Sequence, residues 1–358
     1  MDNTYINTAL TRPTVSFGSG GGMDGNLQSV HVNLTSGAVL HKMDIVGYNT
    51  WEESTRDLVY DPTRNVFYAL DVNFTGTGSK RPTSGRPVIL SIINPLDGSV
   101  TTKTVSHSKG AFDYVTGYAV MENGMIHAAS RDYDVNGTVI IGSSFYTIDP
   151  TTGVGKDLSS IVHKTNDETD PKMYGGYHRA IDIQGENAYR LGYKTVSDQS
   201  DPGLGVVNSV QGTAEWLTLN LPDNEHAWYL GMNIIPDTNS SSVVSLAPNS
   251  ATGHLDLIEW DLPSLNVTRV IKLGNVTGPG VIMGKAGMLG YVLDTSRKET
   301  WVGVVSFPNA FPLPFPHALD AWGLAVVDLK SGDVALHPIA PTLLSGGNSI
   351  SGVGLPKL

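Results

Sequence analysis

A five-residue turn recurs six times along the chain, as NLTSG (Asn33 to Gly37), NPLDG (Asn94 to Gly98), DPTTG (Asp149 to Gly153), NLPDN (Asn220 to Asn224), DLPSL (Asp261 to Leu265) and DLKSG (Asp328 to Gly332). Each copy lies between two extended, apolar-rich runs, so each is a β-hairpin connection. Asn or Asp at the first position can hydrogen-bond the backbone two residues on, and Gly or Asn at the fifth tolerates positive φ. With that turn placed between strands c and d, the flanking segments resolve into units of four strands. The second unit reads DLVYD, turn PTRN, VFYALDVN, a long loop, PVILSIIN, the repeated turn, then VTTKTVS.

The fourth unit is read as GYHRAIDI, turn QGEN, AYRLGYK, a loop from Thr195 to Gly212, AEWLTLN, the turn NLPDN and EHAWYLG. The C-terminal run NSISGVGLP lacks a following d strand, and the N-terminal runs TVSFGSG, LQSVHVN and AVLHKMDI lack a first. Together the two ends complete one unit. The expectation is an all-β, six-bladed β-propeller of four-stranded antiparallel blades, with the ring closed by joining N- and C-terminal strands. Blades are expected at about 14–46 plus 348–356, 57–106, 114–162, 176–231, 232–273 and 287–340, after an N-terminal arm at 1–13. The segments LSIINPLDGSV, FYTIDPTTGVG and LAVVDLKSGDV resemble the c–d hairpins of YVTN- and NHL-like β-propellers. That resemblance implies the fold and carries no activity, because the same hairpin serves enzymes, binders and scaffolds.

Composition agrees with strands and turns: charged residues are 16% of the chain and Gly numbers 40. A net charge of −11, with no Lys/Arg run longer than two, argues against nucleic acid as a partner. The apolar runs are strand-sized, so no membrane-spanning helix is expected. Cysteine is absent, which removes disulfides and thiolate metal sites. The start, MDNTYINTALTRP, has no signal-peptide pattern, so the chain is either cytoplasmic or begins after processing. N-x-[ST] sequons at Asn33, Asn73, Asn136, Asn239, Asn266 and Asn275 fall in or beside expected turns and favour an extracellular or cell-surface glycoprotein. The alternative is that Asn simply prefers turns.

The a–b and c–d links read as short, and the b–c and d–a links as long. Successive strands alternate in direction, so the long links emerge on one face, where binding or chemistry is expected. Four features lie there. Asp132, Asp134 and Asn136 in DYDVNG match the opening of a calcium loop, although position twelve is Ser143 rather than Glu; a polar Asx-rich turn is the competing reading. TNDETD, from Thr165 to Asp170, is a second acidic turn, either cation-binding or solvated. FPNAFPLPFPH places Phe307, Phe311, Phe315 and His317 in a proline-broken apolar segment, a flap or a docking surface to which Trp51 adds another aromatic. Glu52, Asp57, His178 and Arg179 lie near starts of a strands, which line a propeller's channel, and form the weak candidate set for acid–base work.

The expected function is a non-catalytic binding or self-assembling module whose partner is itself, another surface protein or a glycan. The arm at 1–13 could pair with a neighbour's blade edge. The alternative is a lactonase-like, calcium-dependent hydrolase or lyase with its site at the channel mouth. Calcium is the one cofactor either reading invokes.

Overall fold

The computed structural model describes residues 13–19, 26–33, 36, 38–49, 58–61, 63–72, 88–106, 119–133, 140–162, 181–196, 199–219, 233–235, 241–249, 251–252, 255–274, 281–282, 285–286, 291–293, 300–307, 321–338 and 349–354. Within them the chain is all-β, built from four-stranded antiparallel sheets in a propeller-like ring.

The first sheet holds β1 (Pro13–Ser19), β2 (Asn26–Asn33) and β3 (Val39–Asn49) together with the last strand, β26 (Ser349–Gly354), which pairs antiparallel with β1. The second runs through β4 (Val59–Asp61), β5 (Val66–Val72), β6 (Val88–Ile93) and β7 (Val100–Thr104). The third comprises β8 (Ala119–Glu122), β9 (Met125–Tyr133), β10 (Ile140–Ile148) and β11 (Gly155–Val162). The fourth contains β12 (Ile181–Gln184), β13 (Asn187–Val196), β14 (Gln199–Asn208) and β15 (Thr213–Thr218). The fifth consists of β16 (Asn233–Ile235), β17 (Ser242–Pro248), β18 (Leu255–Asp261) and β19 (Val267–Lys272). After a two-stranded ribbon of β20 (Val281–Ile282) and β21 (Lys285–Ala286), a sixth has β22 (Tyr291–Leu293), β23 (Thr300–Phe307), β24 (Ala321–Asp328) and β25 (Val334–Pro338). The leading edge strands touch in the cyclic order β26, β4, β8, β12, β16, β22 and back to β26.

Residue pattern explains the layering. In β6 and β18 most positions are buried on both faces, whereas the outer strands β7 and β15 keep mostly exposed or half-buried residues. A strand covered on both faces must be apolar almost throughout, as VILSII of β6 is, or must pair its buried polar groups, as β18 does for Asp256; an edge strand need do neither. The core therefore lies between neighbouring sheets. Tyr68 and Leu90 of the second sheet pack with Ile126 and Tyr146 of the third, and Tyr189 and Leu204 of the fourth with Val243 and Trp260 of the fifth. Each fully buried large side chain of this kind contributes about 1.5–3 kcal/mol.

The repeated turn has one construction. Asn94, Asp149, Asp261 and Asp328 each accept, through the backbone carbonyl, the N–H of the residue four positions on, at 2.7–2.9 Å. That fifth residue has positive φ in every case: Gly98 71°, Gly153 76°, Leu265 56° and Gly332 84°. The Asx carboxylate or amide oxygen takes one or two further backbone donors, as in Leu96 N–H to Asn94 Oδ1 at 2.9 Å and Thr151 N–H to Asp149 Oδ1 at 2.8 Å.

The fourth sheet corrects the sequence expectation. Its c–d turn is NSVQG, Asn208 to Gly212, with the Gly212 N–H on Asn208 O at 2.9 Å, Gly212 at φ 68°, and Val210 and Gln211 donating to Asn208 Oδ1. The stretch read as a long loop is strand β14, and AEWLTL forms the d strand rather than the c strand. NLPDN and EHAWYLG then follow the fourth strand and lie outside the described residues. The misreading arose because β14 carries Pro202, Gly203 and Gly205, which are poor strand formers. Trp216 compensates by packing its indole over Gly203, so close that a Cβ there would sit 2.3 Å from the ring.

Candidate functional site

Strand bounds divide the two ends of the ring. No a–b or c–d link exceeds six residues, while the links from a fourth strand to the next sheet run from nine to eighteen. The expected long b–c links are real only at 73–87 and 308–320; the others have six residues or fewer. The inequality is therefore carried mainly by the d–a links.

The short-link end is a series of polar locks between neighbouring sheets. In four of the turns the carbonyl of the second residue receives a side chain from the preceding sheet. Ser29 Oγ and His31 Nε2 reach Pro95 O at 3.1 and 2.8 Å. Lys103 Nζ reaches Pro150 O at 3.3 Å and also Thr151 O. Ser159 Oγ donates to Ser209 O, and Arg269 Nη1 to Leu329 O. The repeated turn is thus both hairpin and latch. The fourth-to-fifth junction uses an apolar version, with Leu217 and Leu262 packed on the same core cluster.

Asp61 anchors a second group of contacts at this end. Its buried carboxylate accepts Thr63 N–H at 2.8 Å, Arg64 N–H at 3.1 Å, Arg64 Nη1 at 2.7 Å and Tyr68 Oη at 3.2 Å. Burial pushes the Asp61 pKa up, but the Arg64 side-chain bond and the backbone bonds outweigh it and hold it below the usual carboxylate range. Burial, and then the Asp61 charge, push Tyr68 up to about 12 and Tyr60 further still. Four donors saturate the carboxylate. Asp61 therefore acts as a fastener, with Arg64 reaching on to Thr151 Oγ1 of the third sheet at 3.1 Å, and not as a proton acceptor.

At the other end, buried Asn249 and Asp256 bracket the β17–β18 link. Asn249 Nδ2 donates to Asp256 Oδ2 at 3.0 Å, and Asn249 Oδ1 takes Ala251 and Thr252 N–H. The pair builds the base of that loop. His127 on β9 has a buried Nδ1 with no hydrogen-bond partner among the described residues, and burial pushes its pKa down.

Of the sequence candidates, Trp51, Glu52, Asp57, Asp134, Asn136, His178, Arg179, Phe311, Phe315 and His317 lie outside the described residues, as do the sequons Asn73, Asn239 and Asn275. TNDETD lies outside them too. Asp132 is placed in β9 opposite Gly142, in a strand rather than in a loop. Phe307 ends β23 opposite Ala321. Asn33 begins the first c–d turn, half-buried, with Oδ1 accepting Ser36 N–H at 3.0 Å; Asn266 is exposed on the fifth. Among the described residues no group of three His, Cys, Asp or Glu gathers as a metal site, and no helix is long and apolar enough to cross a membrane.

One pair escaped the sequence reading. His31 and His41 face each other across the β2–β3 hairpin, with ring centroids 5.7 Å apart and planes at 73°. The turn alone does not give the pair: its register sets Val32 opposite Val39 and would bring Leu40 to His31, and a bulge between His31 and Val32 brings His41 there instead.

No protein-family profile matches the chain, and no curated protein matches it in sequence. Solved structures do. A hydrazine synthase from Kuenenia stuttgartiensis is 12% identical over 82% of this chain and 68% of its own, with a TM-score of 0.45. An apocarotenoid oxygenase variant from Synechocystis is 15% identical over 74% of this chain, at 0.39, and a GH32 β-fructofuranosidase from Bombyx mori is 8% identical over 80%, at 0.36. The chain spans about three fifths of the length of these last two, 59% and 62%. At such identities and scores the likenesses assign neither family nor activity.

Proposed function

We propose that the chain is a six-bladed β-propeller serving as a non-catalytic binding or self-assembling module, glycosylated and displayed outside the cell. The observation that carries this reading is the inequality of the two ends: short, latched links on one side and d–a links of nine to eighteen residues on the other. The cyclic contact of six leading edge strands supports the blade count, and the β1–β26 pairing supports closure by the two termini. A rigid ring with one elaborated rim suits recognition through loops. Exposed Asn266, followed by exposed Thr268, supports a glycan at the short-link end, which would leave the long-link end as the contact face.

The test is expression of the full chain through a glycosylating secretory route, with glycopeptide mass spectrometry and light scattering. Sugar on Asn266, and an assembly that reverts to monomer when residues 1–12, the part of the arm that precedes β1, are deleted, are the expected results. A bare Asn266 together with an unchanged mass on deletion would overturn the reading.

A further inference from the structure

We infer that His31 and His41 form a binding site for a divalent first-row transition metal of the zinc, nickel and copper group. Three observations converge on the first-sheet hairpin. The residues are register partners on adjacent antiparallel strands, so their side chains leave the same face of the sheet. Their ring centroids lie 5.7 Å apart. Two imidazoles bound to one ion, each with a metal–nitrogen bond of about 2.0–2.1 Å, place their centroids about 4.5–6 Å apart, depending on the angle at the metal. The observed spacing falls inside that span.

The third observation concerns which nitrogen is available. His31 Nε2 lies 2.8 Å from Pro95 O, and a carbonyl oxygen only accepts, so Nε2 carries the proton. In the neutral ring the lone pair is thereby on Nδ1. A backbone carbonyl bonded to the far nitrogen is the usual outer partner of a metal-ligating histidine, because it fixes the tautomer and ring orientation and raises ligand basicity. His31 is 6% exposed and held in place by this bond, while His41 is exposed and open to an arriving ion. The site is one preset, buried ligand and one exposed ligand. With two protein nitrogens, water fills the remaining positions, and affinity follows the order in which copper exceeds nickel and zinc.

Neither the propeller reading nor the glycan reading is needed for this inference. Its test uses the full chain, titrated with Cu²⁺, Ni²⁺ and Zn²⁺ separately by calorimetry, with Cu²⁺ electron paramagnetic resonance to count coordinated nitrogens. The chain has 10 histidines, so the comparison with variants isolates the site. His41→Asn changes an exposed side chain and keeps the melting temperature in chelator unchanged. It is expected to weaken the tightest site at least tenfold and to abolish the metal-induced rise in melting temperature. His31→Gln keeps an N–H donor for Pro95 and removes the imidazole, and is expected to lose the same site. Binding in the unmutated chain should weaken on acidification, since ligating imidazoles must be neutral. Metal uptake by His41→Asn with unchanged affinity and unchanged nitrogen count overturns the inference.

Discussion

The third and fifth sheets close with the same turn and fill its last position differently. At Asp149 to Gly153 the fifth residue is Gly, and a Cβ there would come within 3.2 Å of Thr104 O on the neighbouring sheet. At Asp261 to Leu265 the same backbone hydrogen bond and the same sign of φ carry a leucine, whose side chain packs against the cluster around Trp260. The Asx residue and the i-to-i+4 bond therefore set the turn's shape. The neighbour's approach sets which residue may occupy its end. Positive φ is unfavourable for leucine by roughly 1–2 kcal/mol; packing offsets it.

That contrast can be broken most forcefully at the fourth sheet. A Cβ on Gly212 would meet Ser160 O at 3.0 Å, so Gly212→Ala combines unfavourable φ with a backbone clash. It should lower stability by about 2–4 kcal/mol in urea unfolding. At Gly332 the nearest atom is Arg269 Nη2, also at 3.0 Å, which can move. Gly332→Ala should lower stability by only about 1–2 kcal/mol, the conformational part. Equal losses at the two positions would show that φ alone governs the fifth residue.

Leu265→Gly sharpens the comparison from the other side. It relieves the strained φ but gives up part of a leucine's burial and adds chain entropy, so the net change should stay within about 1 kcal/mol. A gain of 2 kcal/mol or more would mean that the packing contributes nothing.

The smallest expected effect separates aspartate turns from asparagine turns. The Thr151 backbone bond and the Thr152 hydroxyl hold Asp149 below the usual carboxylate range; the Ser331 and Lys330 backbone bonds do the same for Asp328. Groups so depressed stabilise the fold above the unfolded carboxylate pKa near 3.9, and that stabilisation is lost as pH falls through the lower folded value. Thermal unfolding between pH 5 and pH 2 should therefore fall less steeply in Asp149→Asn with Asp328→Asn, since Asn builds the same turn at Asn94. Identical slopes would refute the assignment.

Much of the fold was legible because Asx and positive-φ residues punctuate strands by a local rule. The rule failed where tertiary packing replaced local preference. GLGVV of β14 reads as loop until the indole of Trp216 is placed over Gly203, a contact between strands that no single-sequence pattern shows. NLPDN then took the place of NSVQG because it too begins with Asn and follows an apolar run. The candidate site was less legible for another reason. Long connections carry no periodicity, so Trp51, His178 or Phe311 could be assigned to a rim but not to one another. The His31 and His41 pair was hidden for a further reason: the turn's register continues to Val32 and Val39, and a one-residue bulge that no local pattern announces then brings His41 rather than Leu40 opposite His31.

The seam between β1 and β26 has a consequence for synthesis. Five of the four-stranded sheets draw all their strands from one continuous stretch, but β1 pairs with a strand some 330 residues later. At about 5–20 residues per second, roughly 15–65 s pass between the emergence of the two from a ribosome. During that interval one edge of β1 has no strand from its own chain. The stretch Pro13–Ser19 is therefore where a nascent chain is most open to capture by a chaperone, or by the equivalent late strand of a neighbouring copy.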